Sequence, residues 1–179
     1  MNFLKRKTSG TSSSNEFESI KIGNQIWMSN NLNIDVAGSW GFDTLEKEPN
    51  NPYNFGDPDH QKEYGRLYTY DAAIKACPPG WRLPSKKDFE QLVNFLGGEN
   101  IDTINALRPN GSSGFRAYPA GRYYDGKYID GGFECYFWNS ANEWWVFALN
   151  YKYQGEIPRF QNIGKDAEGA ISVRFIKDE

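Results

Sequence analysis

The chain has 179 residues, a formal net charge of −3 and 39 % hydrophobic residues. That length suits one domain that buries roughly two-thirds of its unfolded surface. The mildly acidic balance lacks the basic footprint of a nucleic-acid binder, and no apolar run approaches the ~20 residues needed to cross a bilayer, so neither nucleic acid nor direct membrane insertion is expected.

Residues 1–15 start Met1-Asn2-Phe3-Leu4-Lys5-Arg6-Lys7 and continue into Thr8-Ser9-Gly10-Thr11-Ser12-Ser13-Ser14-Asn15. No apolar stretch follows the positive charges, so a complete secretory signal is not expected. The segment reads as a flexible leader or tether, with a single domain over residues 16–179. Residues 17–22 and 25–28 alternate apolar and polar side chains around Gly23-Asn24, which predicts a β-hairpin.

The stretch from Asn30 to Glu63 is a long connection rich in Asn, Asp, Pro and Gly, punctuated by Leu32, Ile34, Val36, Trp40, Phe42, Tyr53 and Phe55. A short strand is expected at residues 65–68. A helix follows over 69–76, stopped by Pro78-Pro79, before Gly80 turns the chain into a strand at Trp81-Arg82-Leu83. Ser85 and Asp88 form a capping-box-like start to a second helix, where Phe89, Leu92, Val93 and Leu96 share one face and Gly97-Gly98 mark the end. A third helical segment is expected over 101–107. Beyond Asn110 the pattern is strands and turns: 115–118, 121–124, 128–129, 135–138, 145–149 and 170–176. The last strand is expected to lie near the first.

Cys77 and Cys135 are the two cysteines, and His60 is the one histidine. One disulfide and two free thiols are both compatible with this count, while structural zinc would need four ligands. No HExxH, G-x-S-x-G, phosphate-loop or dinucleotide motif occurs, so no catalytic residue, metal or cofactor is expected. Glu48-Pro49-Asn50 and Trp138-Asn139-Ser140 echo the calcium words of sugar-binding lectins. Their order along the chain and the missing carboxylate at Ser140 argue against calcium, which needs six to eight oxygens in one cluster. Asp57-Pro58-Asp59 is a weaker acidic candidate for a cation.

Three groups of residues together resemble the Fibrobacter succinogenes major paralogous domain. They are Lys21-Ile22-Gly23-Asn24-Gln25-Ile26-Trp27-Met28 with Asn31-Leu32; Tyr64-Gly65-Arg66-Leu67-Tyr68-Thr69 with Ala72-Ala73; and the run Cys77 to Ser85, CPPGWRLPS. Phe115, Ala120-Gly121, Asp125-Gly126, Tyr136-Phe137-Trp138-Asn139-Ser140, Lys165 and Ser172-Val173-Arg174 follow in matching order. The resemblance implies an α+β, C-type-lectin-like fold: an early β-hairpin, two main helices and a late twisted antiparallel sheet with long loops. That fold is shared with formylglycine-generating enzymes and retroelement-diversified variable proteins. It also implies a bacterial cell-surface or extracellular protein, with the cytoplasm or a phage particle as alternatives. Gly41 and Phe175 stand where family members commonly carry cysteines, so those bridges cannot form here.

The late half of the chain is dense in aromatics: Tyr118, Tyr123, Tyr124, Tyr128, Phe133, Tyr136, Phe137, Trp138, Trp144, Trp145, Phe147, Tyr151 and Tyr153. Alternation along 145–149 would leave one aromatic set exposed, and Tyr and Trp are good contact residues. By analogy with the variable face of the diversified relatives, Asn139, Asn142, Glu143, Trp144, Asn150, Tyr151, Tyr153, Arg159 and Gln161 are the candidate ligand-binding residues. The opposing possibility is that the rings are core anchors and the polar residues ordinary turns. The expected function is non-enzymatic recognition of a protein or glycan, with a diversity-generating-retroelement variable protein as one form it would take. A structural or adhesive surface module is the first alternative. A formylglycine-generating-enzyme-like oxidase using Cys77 and Cys135 is the second, although neither cysteine sits where that chemistry places its pair.

Overall fold

The computed structural model describes residues 17–42, 62–141, 145–151, 156–162 and 169–178. Tyr53, Phe55, His60, Glu48-Pro49-Asn50, Asp57-Pro58-Asp59, Lys165 and the leader lie outside them. The described residues are α+β, with helices packed against antiparallel sheets. Among the described residues, no helix is long and apolar enough to cross a membrane.

Strands β1 (Ser19–Ile22) and β2 (Gln25–Met28) form the predicted hairpin, in register from Ser19 opposite Met28 to Ile22 opposite Gln25. Gly23 supplies the positive φ of 61° at the first turn position, where a Cβ would be strained. Two short strands follow, β3 (Ser39–Gly41) and β4 (Arg66–Tyr68), paired antiparallel. Only β4 is evident from the sequence. Gly65 precedes β4 at φ +72°, and a Cβ there would sit 2.5 Å from the Leu32 carbonyl oxygen, so the backbone approach demands glycine.

Helix α1 (Tyr70–Lys75) is capped by the Thr69 side chain, and the chain then turns through Pro78-Pro79-Gly80 into β5 (Trp81–Arg82). Helix α2 (Lys86–Phe95) begins with a complete capping box: Ser85 accepts from the Asp88 backbone N–H, and the Asp88 carboxylate accepts from the Ser85 N–H. Arg82 grips the same carboxylate with both terminal nitrogens, at 2.6 and 3.0 Å. Burial alone would raise the Asp88 pKa, but the bonds from Arg82 and Ser85 prevail and bring it down to about 2. Helix α3 (Ile101–Leu107) has the predicted bounds and an Asn100 cap.

The late strands are β6 (Arg122–Tyr124), β7 (Lys127–Ile129), β8 (Glu134–Trp138), β9 (Trp145–Asn150), β10 (Arg159–Asn162) and β11 (Ile176–Lys177). β6 and β7 form a hairpin whose turn residues Asp125 and Gly126 both have positive φ. β8, β9 and β10 form a sheet ordered β10-β9-β8, while β11 joins the first hairpin in the order β1-β2-β11-β5. The last strand therefore lies beside the first hairpin, as expected.

Two expected strands are different in the structure. Residues 115–118 form no strand: Arg116 takes φ 51°, and the Ala117 N–H bonds to the Leu107 carbonyl instead of to a ladder. Residues 170–176 are not one strand either, because each residue pairs with a different part of the fold. Ala170 bridges Tyr123, Ile171 bridges Tyr68 and Ser172 bridges Phe137. The carbonyls of Val173 and Phe175 then accept from Leu32 and Met28.

The β8-β9 pair separates two cores. On one face Cys135, Phe137, Phe147 and Leu149 pack with Trp27, Phe115 and the α2 residues Phe89, Leu92 and Val93. On the other, Tyr136, Trp138, Val146 and Ala148 pack with Leu32, Tyr68, Ala72, Ala73, Ile171, Val173 and Phe175. Among the described residues of these strands, alternation does not leave an aromatic set exposed, because both faces are covered. A third cluster gathers Phe42, Tyr64, Leu67, Ala120 and Ala170.

Arg174 joins these layers. It is fully buried, donates to the carbonyls of Met28, Phe115 and Arg116 and to Asn31 Oδ1, and lies 4.5 Å from the Phe115 ring centroid. Burial pulls its pKa down to about 9.

Candidate functional site

The pleat of the β8-β9-β10 sheet aligns Glu134, Tyr136 and Trp138 of β8 with Asn150, Ala148 and Val146 of β9, and with Arg159 and Gln161 of β10. The Trp138, Tyr136, Val146 and Ala148 end of this face belongs to the core. Toward the other end the row becomes polar, at Glu134, Asn150 and Arg159.

Glu134 is the hub. Its carboxylate accepts from Asn150 Nδ2 and from the Tyr136 hydroxyl, and Arg159 Nη2 stands 3.5 Å from Oε1. Its side chain is only 16 % exposed, against 31 % for Arg159, so the charge is held close to the protein rather than dissolved in water. Arg159 also bonds Glu156 at 3.0 Å and Gln161 at 3.4 Å. Across Tyr136 the network continues to Asp130, 3.2 Å from the hydroxyl, and Asp130 pairs with Arg122 at 3.0 Å. Arg122 sits 5.4 Å from the Tyr136 ring centroid. Burial, the bond to Glu134 and its charge, all push the Tyr136 hydroxyl well above its ordinary pKa, so it remains a proton donor.

The candidate residues divide into separate environments. Asn150, Arg159 and Gln161 share this face. Asn139 is buried, and its Oδ1 accepts from the Ala141 N–H at 2.8 Å, which fixes the turn after β8. Tyr151 packs against the helical core and donates to the Ala117 carbonyl at 2.8 Å. Asn142, Glu143, Trp144 and Tyr153 lie outside the described residues. Glu134, Tyr136, Arg122 and Asp130 were not among the sequence candidates. The signal was present in Glu134-Cys135-Tyr136-Phe137-Trp138, where a carboxylate occupies an otherwise buried alternation.

Both cysteines are free thiols. Cys135 lies in the helical-side core and donates to the Ala117 carbonyl at 3.3 Å, while Cys77 packs against the opposite core and donates to the Trp81 carbonyl at 3.0 Å. Burial pushes Cys135 up to about 12 and Cys77 up to about 11, so the reactive thiolate is scarce at either position. No group of three or more His, Cys, Asp and Glu side chains suited to a metal ion occurs among the described residues.

No curated protein and no solved structure matches the chain. A family model described as the Fibrobacter succinogenes major domain matches residues 20–177, from the first strand to the last. Residues that carry the likeness have structural roles here: Gly65 the close approach to Leu32, Arg82 and Ser85 the start of α2, Asn31 and Arg174 the buried network. The chain belongs to the Fibrobacter succinogenes major domain family.

Proposed function

We infer that this domain is a non-enzymatic binding module, and that its ligand, a glycan or a protein, docks on the polar end of the β8-β9-β10 face. A C-type-lectin-like arrangement at the surface of a bacterial cell fits that reading, as does a retroelement-diversified variable protein.

One observation carries it: Asn150 and Arg159 converge on one oxygen of the Glu134 carboxylate, at the polar end of a sheet face whose other end is core. A buried-type charge network is seldom more stable than an apolar replacement, which favours a recognition role over a purely structural one. Carboxylate, amide and guanidinium groups are planar and offer paired donors and acceptors, the complement of a sugar's adjacent hydroxyls or of a peptide backbone. The raised thiol pKa values at Cys77 and Cys135 weigh against the oxidase alternative.

Glycan and protein arrays probed with the full chain test the inference. A hit that disappears with Arg159→Ala supports it, and binding that Arg159→Ala leaves intact overturns it.

A further inference from the structure

A second site is indicated at the edge of the first hairpin, away from the β8-β9-β10 face. An open cleft of about 400 Å³ is lined by Glu18, Ser19, Ile20, Ser29, Gly114 and Arg116. Ser29 is 4 % exposed, and its hydroxyl oxygen is buried without a hydrogen-bond partner. Buried hydroxyls in native proteins are almost always satisfied, so an orphan within a residue of the cleft wall points to a missing partner.

The cleft also contains a guide to the chemistry it takes. One oxygen of Glu18, Oε2, accepts from Asn30 Nδ2 at 2.9 Å and lies 3.5 Å from Arg116 Nη2. A guanidinium and an amide therefore already converge on a carboxylate oxygen. That carboxylate is loosely held: the Glu18 side chain is 73 % exposed and the Arg116 side chain 40 %. The Arg116 backbone is held in place, left-handed at φ 51° with its carbonyl bonded by the buried Arg174 at 3.1 Å. A second cleft, of about 190 Å³, adjoins Glu18 and presents Asn30, Asn33 and Lys62.

We propose that this cleft binds a carboxylate-bearing small ligand, which displaces the Glu18 side chain from Arg116 and Asn30 and takes the free Ser29 hydroxyl as a further donor. Glu18 is then an internal competitor that occupies the site when ligand is scarce. The site shares no residue with the β8-β9-β10 face, and it stands or falls independently of the function inferred there.

The experiment is an amide NMR titration of the full chain with glucuronate, with acetate and inorganic phosphate as the comparison anions. Glucuronate and acetate are expected to give saturable shifts at Ile20, Ser29, Gly114 and Arg116, and phosphate a weaker response. Arg116→Gln is expected to lower glucuronate affinity about tenfold or more, as for loss of a charge-assisted bond. Ser29→Ala is expected to weaken it by about fivefold while leaving the unfolding midpoint unchanged, because the hydroxyl has no internal bond to lose. Glu18→Gln is expected to tighten it by about threefold, because the competing charge is gone. Absence of saturable shifts up to about 20 mM glucuronate, far above even a millimolar site, would overturn the proposal. So would an equal response to phosphate, or weaker binding by Glu18→Gln.

Discussion

Arg174 Nη2 donates to Asn31 Oδ1 at 2.6 Å, joining residues 143 positions apart at the centre of the molecule. Asn31 passes the connection on, through its amide, to the Tyr64 carbonyl at 2.9 Å and to Ser172 Oγ at 3.4 Å. Arg174 is balanced by carbonyl dipoles, an amide and two aromatic rings rather than by a carboxylate. A buried guanidinium loses heavily when one of these partners is removed. Asn31→Ala is expected to cost about 3 kcal/mol, and Arg174→Lys at least as much, because an ammonium cannot span the same acceptors. Urea unfolding midpoints, converted with the measured m-value, check both.

The start of α2 makes stability depend on acid. Asp88 titrates at about 2 in the folded protein, below its ordinary 3.8, so the folded state binds the proton less readily than the unfolded chain. The contribution is therefore complete above about pH 4 and is lost as pH falls toward 2, and it amounts to roughly 1–2 kcal/mol after allowance for the partly exposed Arg82. Asp88→Asn should remove that part of the acid dependence, which thermal melts between pH 2 and pH 6 would show as a flatter profile.

The two thiols should differ sharply from free cysteine. With its pKa near 11, Cys77 is expected to react with an aromatic disulfide reagent at pH 8 about a hundredfold more slowly than an unperturbed thiol. Cys135, fully buried, should react only on unfolding. Thiol titration with and without denaturant distinguishes them, and intact mass should show two reduced cysteines.

Gly65→Ala tests whether the family word around it is a backbone requirement. The added methyl would meet the Leu32 carbonyl at 2.5 Å in a left-handed conformation. A loss of about 2 kcal/mol or more is expected in the same unfolding assay. Gly80→Ala, whose Cβ would meet nothing within 4 Å, isolates the cost of the left-handed backbone alone and should be milder.

Local signals made much of this fold legible. The hairpin turn at Gly23, the Ser85 capping box and the 101–107 helix each announce themselves within a few residues, and they recur in the structure at the same places. β3 and β10 escaped because Ser39-Trp40-Gly41 and Arg159-Phe160-Gln161-Asn162 carry too few apolar residues to show alternation. The 170–176 run failed for the opposite reason. Its composition is strand-like, but the inward Arg174 and three separate bridges divide it among different sheets, a tertiary effect that no local pattern displays.

The site was less legible than the fold. Aromatic density drew attention to β8 and β9, yet Tyr136, Phe137, Trp138 and Phe147 are buried because these strands are covered on both faces. Asn150, Arg159 and Gln161 were reachable from sequence. Glu134, which gathers them, needed the strand register to be seen.

The most direct measurement is titration calorimetry of an array-identified glycan or protein against the native chain and Arg159→Ala, with unfolding of both followed in parallel. Arg159→Ala is expected to lose at least about tenfold in affinity, the scale of one charge-assisted contact, with stability changed by less than about 1 kcal/mol. Equal affinity of the two proteins would contradict it.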